Sequence, residues 1–297
     1  MTRMDVSVII VNYNTRRLLS ACVDSIRART KDVSYEIIVV DNASSDGSRE
    51  MLLERYPEVR LVANTENLGF GEANNRGARS AKGSHLFFLN SDTVFLNNAL
   101  KEFLDFSLAA RGRVGAVGCL LSKGDGRLSN SWGDFPTYST LLWYRLGYLI
   151  SRRSPRPPAP GAREAAVDFV TGADLFMEKA VFESVGGFDR LFFLYYEETD
   201  LQKRLARQGY RNYILAAPRI AHLEGGSVNQ RMRARIMQED SMYKYFAKHR
   251  GRGAGLWAFY LAYSLTSFLS IPKYRAEENL AYFRNVFSGI PRILAGR

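Results

Sequence analysis

A chain of 297 residues, 46% hydrophobic and 24% charged, has room for one large α/β domain with appendages and a sizeable core, and argues against a long disordered segment. Its net charge of +11 is lopsided: residues 231–297 hold twelve Lys/Arg against four Asp/Glu, and residues 135–163 hold five Arg and no acid. The remainder is slightly acidic, so an anionic partner (nucleic acid, acidic lipid or a phosphorylated substrate) is expected at those two segments and not over the whole fold. Cys22 and Cys119 lie far apart in apolar surroundings, which reads as buried thiols in a reducing compartment. The first residues lack a secretory apolar run, which places the chain in the cytoplasm.

In chain order, residues 6–11 form a near-continuous apolar run, as expected of a strand buried on both faces. Residues 36–41 and 85–89 repeat it, with shorter strands at 60–63 and 114–120. Helix-like stretches separate them at 16–29, 47–56, 71–81 and 97–110. This βαβα rhythm predicts a mostly parallel sheet with helices on its faces. The Pro-rich, basic stretch 151–163 reads as a loop. Residues 168–177 resume a strand, 178–185 and 200–208 are helices, and 213–217 is strand-like. Between Arg252 and Lys273 no residue is charged. Ser264, Ser267 and Ser270 share one face of that stretch, which favours a helix lying in a membrane interface over one spanning it. The mixed aromatic and basic stretch 138–153 is either a second interfacial helix or one packed over the sheet.

In open parallel sheets ligands bind beyond the carboxyl ends of the strands. Three predicted strands end in polar clusters: Asn12-Tyr13-Asn14, Asp41-Asn42-Ala43-Ser44 and Asn90-Ser91-Asp92. Each alone suits a turn or helix cap; their coincidence at one sheet edge points to a site. Neither a Gly-x-Gly-x-x-Gly nor a Walker sequence is present, so phosphate is expected to be met through a cation such as Mg²⁺ or Mn²⁺ held by a carboxylate, with Asp92 well placed. His222, followed by Gly-Gly-Ser, is a candidate for the same metal or diphosphate. Glu197-Glu198-Thr199-Asp200 follows five apolar or aromatic residues. A helix start accounts for Asp200; it leaves the paired Glu197 and Glu198, which raise one another's pKa if both face a site, as a general base requires.

The order of these motifs resembles glycosyltransferase family 2, with its GT-A fold, and especially its bacterial rhamnosyltransferase-like branch. VSVIIVNYN, EIIVVDNASSDGS, NTENLGFGEANNRGARSAKGSHLFFLNSD, FVTGADLFMEKAVFESVGGFDRLFFLYYEETDLQKRLARQGYR and HLEGGS carry the resemblance, from Val6 to Ser227. It implies an α/β, Rossmann-like GT-A domain over residues 1–228, with a nucleotide-binding half (1–120) and an acceptor and catalytic half (121–228), followed by a helical, basic, membrane-associating region (229–297). Val11 and Tyr13 would line the base pocket and Asp41 would hold the base or ribose. Asn67, Gly69 and Asn74 match the loop around the nucleotide, with Asn90 and Ser91 beside it. Asn90-Ser91-Asp92 stands where the family has Asp-x-Asp, so Asp92 would carry most of the cation binding, assisted by His222. Glu197-Glu198 stands where the family has Glu-Asp, making Glu198 the expected base and Glu197 the second choice. The acceptor is expected against Trp132, Gly172, Ala173 and Asp200.

The implied reaction is inverting transfer of rhamnose or another hexose from dTDP-rhamnose or a UDP-sugar to a glycan linked to a polyprenyl diphosphate. It belongs to cell-envelope polysaccharide synthesis at the inner face of the membrane. A nucleic-acid-binding protein explains the basic tail but not the polar strand ends, and no nucleic-acid motif is present. A nucleotidyltransferase needs a Gly-rich loop after the first strand, which is missing. A non-catalytic relative binding anionic lipid or nucleic acid through its tail would lack Asp92 or both Glu197 and Glu198; all three are present.

Overall fold

A computed structural model describes residues 4–143, 162–223 and 231–269, with side chains of 231–233 and 264–269 left aside. Residues 144–153 of the aromatic and basic stretch, the predicted loop 151–163 up to residue 161, the Gly-Gly-Ser after His222 and the chain beyond 269 lie outside the described residues.

The chain begins with β1 (Val6–Asn12), α1 (Arg16–Arg29), β2 (Tyr35–Asp41), α2 (Ser48–Arg55), β3 (Arg60–Ala63), α3 (Gly69–Ser80) and β4 (His85–Asn90). Next come β5 (Thr93–Phe95), α4 (Ala99–Ala109), β6 (Val114–Cys119), β7 (Trp132–Gly133) and a helix, α5, described over residues 138–143. They are followed by β8 (Glu164–Val167), β9 (Phe169–Val170), β10 (Asp174–Glu178), α6 (Lys179–Ser184), α7 (Glu197–Arg207), β11 (Arg211–Leu215) and β12 (Ile220–His222). The last are α8 (Arg231–Arg250) and α9 (Ala254–Leu269).

Among the described residues eight strands make the central sheet, in the order β3-β2-β1-β4-β10-β6-β11-β8. β3, β2, β1 and β4 run parallel, while β10 lies antiparallel between β4 and β6. The apolar runs are continuous because both faces are covered, so alternate side chains enter different cores. On one face Val8, Ile10, Val39, Phe87 and Leu89 pack with α1, α2 and α4. On the other Ile9, Ile38, Val40, Leu86 and Phe88 pack with α3, α6 and α7. α1 shows the matching helical spacing, burying Leu19, Cys22, Val23 and Ile26. Burying one such large side chain is worth ~1.5–3 kcal/mol. Both cysteines are buried free thiols.

The chain reverses its direction of growth between β1 and β4, so the crevice at their carboxyl ends is where a ligand is expected. Register places the polar ends side by side: Asn12 opposite Asp41, and Val11 opposite Asn90.

Two predicted elements differ. The strand expected over 168–177 is broken into β9 and β10 at Thr171-Gly172-Ala173, because β9 pairs with β7 outside the main sheet whereas β10 enters it beside β4. The helix expected from residue 200 starts at Glu197, which brings both glutamates into its first turn.

By internal contacts the described residues form two units. One comprises 4–134, 162–193 and 197–223; the other comprises 135–143, 194–196 and 231–269. In the second unit Tyr138, Phe246 and Phe259 pack ring against ring, and Arg250 lies over Tyr138. Trp143 and Leu261 are exposed there. Among the described residues no helix is long and apolar enough to cross a membrane.

Candidate active site

At the ends of β1 and β2, polar side chains are spent on one another. Asn12 is wholly buried; its Nδ2 donates to Asp41 Oδ2 at 2.8 Å and to Ser44 Oγ at 2.9 Å, and its Oδ1 accepts the Thr15 hydroxyl at 2.7 Å. Thr15 in turn meets Ser91 Oγ at 2.8 Å, joining this group to the β4 end. Asp41 Oδ1 accepts Ser44 N–H at 3.0 Å and Arg49 Nε at 2.5 Å. Burial pushes the Asp41 pKa up, but hydrogen bonds from Ser44, Arg49 and Asn12 outweigh it and hold the carboxylate below its usual value.

Asp41 therefore offers no exposed face to a base or ribose, contrary to expectation: its carboxylate is enclosed and fastens α2 to β2 through Arg49. Arg49 also donates to the Asn64 carbonyl, and Asn64 joins Arg76 and Asn42 in the same network.

Gly69 likewise serves the backbone. Its φ is +79°, and a Cβ there would lie 2.1 Å from the Phe193 carbonyl oxygen. Asn67 Oδ1 accepts the Gly69 N–H at 2.9 Å, so Asn67 shapes this turn. Asn74 is buried and its Nδ2 donates to the Phe70 carbonyl at 3.1 Å; its Oδ1 is left without a partner. Tyr13, 43% exposed at the end of β1, stays free to stack on a base, with Val11 partly exposed beside it.

Asp92 and His222, 130 positions apart, meet because β12 pairs with β5, setting His222 opposite Thr93. His222 Nε2 lies 3.1 Å from Asp92 Oδ1 and 3.5 Å from Asn90 Nδ2. The Leu223 N–H donates to the Asp92 carbonyl at 2.9 Å, locking the two segments together. Among the described residues no group of three or more His, Cys, Asp or Glu is placed to hold a metal. One carboxylate and one imidazole do fit a divalent cation whose other ligands are diphosphate oxygens and water, the usual condition of Mg²⁺ with nucleotides.

The glutamate pair sits at the start of α7. Tyr195 and Tyr196 precede it in the left-handed region, at φ 68° and 67°, a conformation costing ~1–3 kcal/mol per non-glycine residue. Glu197 is buried and its Oε2 has no partner; burial, and then the charge of Glu198, push its pKa well up. Glu198 is partly exposed. Burial pushes its pKa up to about 6, against hydrogen bonds from the backbone and Thr199. The sequence reading relied on mutual repulsion; burial is the larger cause for both. Only Glu198 is both reachable and poised to take a proton near neutrality.

Facing Glu198 is the break between β9 and β10. A Cβ on Gly172 would stand 3.8 Å from Glu198 Cβ and 3.2 Å from Phe70 Cε1. The Ala173 carbonyl accepts Asn90 N–H at 3.0 Å, so this short segment lies beside Glu198 and is bonded to the strand end that leads to Asp92. Ala173 itself points into the core, and its expected acceptor contact is not supported. Trp132, partly buried, pairs across to Val170.

Asp200 is the clearest correction. It is fully buried and ion-paired to Arg204 at 2.9 Å, and Arg204 also donates to the Val185 and Gly187 carbonyls, so Asp200 pins a turn and has no face for an acceptor.

Sequence reasoning missed Asp174 and Gln202. Asp174 opens β10 and accepts Cys119 N–H at 2.7 Å. Burial pushes its pKa up to about 7, while the charge of His222 pulls the other way. The signal for both was a polar residue where the pattern calls for an apolar one.

The family model of glycosyl transferase family 2 matches residues 7–166. The chain is similar to the N-acetylglucosaminyl-diphospho-decaprenol L-rhamnosyltransferase of Mycobacterium tuberculosis (strain ATCC 25618 / H37Rv), 26% identical over 255 residues, which span 79% of this chain and 81% of the relative. It is also similar to the O-antigen biosynthesis protein RfbC of Myxococcus xanthus, 31% identical over 251 residues, spanning 82% of this chain and 19% of that longer protein. Among solved structures it is similar to the mannosyltransferase PcManGT from Pyrobaculum calidifontis in complex with GDP-Man and Mn²⁺, at a TM-score of 0.60 and 19% identity, covering 98% of this chain and 81% of that one. The structure of GalNAc-T7 with UDP, GalNAc and Mn²⁺ gives 0.60 and 19%, covering 89% and 55%. At such identities the two structures speak for the fold alone, which is GT-A.

Proposed function

The chain belongs to glycosyltransferase family 2, and on that premise we propose that it transfers a sugar, with rhamnose the leading choice, from a nucleotide diphosphate to a polyprenyl-diphosphate-linked glycan with inversion. The observation that carries this reading is the juxtaposition at the sheet edge: the Asp92–His222 pair on one side, Glu198 on the other, and the 172–173 segment bridging them. Rhamnose and the lipid-linked acceptor are taken from the names of the relatives, as is the assignment to cell-envelope polysaccharide.

Glu198 accepts the proton of the acceptor hydroxyl as that oxygen attacks the anomeric carbon from the face opposite the nucleotide. Charge develops on the sugar in an oxocarbenium-like transition state. Tyr13 stacks on the base, while Asp92 and His222 hold the diphosphate end. A divalent cation, when bound at Asp92 and His222, supplies neutralisation of the departing diphosphate. Glu197, whose pKa burial raises, packs α7 against α3, where a Cβ on Gly71 would stand 3.5 Å from its own Cβ. The basic second unit, with Trp143 and Leu261 exposed, suits the anionic surface on which a lipid-linked acceptor resides.

Calorimetry with dTDP, UDP, GDP and ADP, with and without Mg²⁺ or Mn²⁺, tests the donor end. Cation-dependent binding of dTDP or UDP that is lost in Asp92→Asn is the expected result. Binding of none of them by the intact protein sinks the transferase reading and turns attention to the basic unit.

A further inference from the structure

Gln202 occupies a position for which the chemistry above has no use. It is wholly buried on α7, one turn after Glu198 and on the same side of the helix. Its Oε1 accepts the Val170 N–H at 2.8 Å, and its Nε2 donates to the Val170 carbonyl at 2.8 Å and to the Glu198 carbonyl at 3.0 Å. A side-chain amide that pairs with both backbone groups of one residue copies a rung of a β-ladder. The first turn of α7 is thus fastened to β9 by directional bonds. Leucine in its place would fill similar space but leave the Val170 N–H and C=O without these partners, so the amide fixes where α7 sits on β9 as well as filling space.

What that geometry controls follows along the chain. Val170 leads through Thr171 to Gly172, the residue facing Glu198, and then to Ala173, whose carbonyl is bonded to Asn90. Asn90 begins the turn that carries Asp92. Moving α7 relative to Val170 therefore changes the gap between Glu198 and Gly172 while leaving the Asp92 end in place.

We propose that Gln202 is a positioning residue: its amide sets the gap between Glu198 and Gly172 on the 170–173 segment without itself touching substrate. The inference rests on Glu198 being the base, as read above.

The test uses the full chain with dTDP-rhamnose as donor and a short-chain N-acetylglucosaminyl-diphospho-prenol as acceptor. Gln202→Leu and Gln202→Glu are compared with the unaltered protein for kcat of transfer, hydrolysis of the donor by water, and dTDP affinity. A displaced base costs roughly 10–100-fold in kcat, since about 1 Å of misplacement is worth that much. Affinity for dTDP stays within about twofold, because the donor end is held by other residues, and a larger share of donor is lost to water. Gly172→Ala presses on the same gap from the other side, against Phe70, with the amide intact. It is expected to give the same split, and it decides the matter where the Gln202 variants do not fold.

Unchanged kcat per folded molecule in Gln202→Leu and Gly172→Ala overturns the proposal, as does dTDP affinity falling in step with kcat. Glu198→Gln separates the two levels. Full activity there sinks the base reading itself, whereas an inactive Glu198→Gln beside a normal Gln202→Leu sinks only the positioning role.

Discussion

Asp41 at the end of β2 and Glu198 at the start of α7 are both carboxylates sheltered by the fold, yet they are provisioned in opposite ways. Asp41 accepts hydrogen bonds from Asn12 Nδ2, Ser44 N–H and Arg49 Nε, and these outweigh burial and hold its carboxylate below its usual value. Among the described residues Glu198 has no cation beside it in α7, only the Thr199 hydroxyl at 3.5 Å and backbone N–H groups of its own turn, and burial outweighs them and lifts it to about 6. A carboxylate whose lone pairs are filled by the protein is a fastener; one left short of donors in a sheltered place keeps its capacity for a proton. The same contrast holds within α7, where Asp200 is bound to Arg204 two residues after Glu198.

The largest effect that this contrast predicts is on catalysis. Glu198→Gln is expected to lower kcat by roughly 10²–10⁴-fold, the range for loss of a general base, with Glu197→Gln costing less than about tenfold. Because the base works deprotonated, kcat/KM should be level above pH 7 and fall about tenfold per unit below about 6. An inactive Glu197→Gln beside an active Glu198→Gln would reverse the assignment.

The fasteners should show themselves in stability. Removing the Asp200 charge leaves Arg204, only 18% exposed, facing a neutral partner. Asp200→Asn is expected to cost ~3–5 kcal/mol in urea unfolding. Arg49 is 32% exposed and partly rescued by water, so Asp41→Asn should cost less, ~1–3 kcal/mol. Loss of dTDP binding in Asp41→Asn at unchanged stability would return Asp41 to the nucleotide and break the comparison.

The smallest effect is on the pH dependence of stability. The folded pKa of Glu197 lies above its ordinary value of 4.5. A group so raised gives its full stability below that value and loses it as pH rises toward the folded pKa. Glu197→Gln should therefore leave the thermal midpoint unchanged near pH 4 and raise it at pH 7.5. An equal shift at both would mean that Glu197 is not held neutral.

Much of the scaffold was legible because it is local. An unbroken apolar run such as residues 6–11 belongs to a strand covered on both faces, and α1 at Arg16–Arg29 and β3 at Arg60–Ala63 fall where spacing and turn residues put them. Polar strand ends at Asn12, Asp41 and Asn90 were legible for the same reason, and the motif order was enough to indicate the family. What only the tertiary structure decided is which polar groups are spent on each other. Asp41 and Asp200 read as site residues in the sequence because a carboxylate does not announce its partner: Arg204 lies one helical turn after Asp200 within α7, a local pairing that helical spacing offered, whereas Arg49 becomes the partner of Asp41 only through the packing of α2 on β2. His222 reaches Asp92 through a pairing of β12 with β5, and Gln202 reaches Val170 through a break in what reads as one strand. Secondary structure follows from side chains a few positions apart, whereas the charge, reach and proton affinity of a side chain are set by neighbours that the fold brings from a hundred residues away.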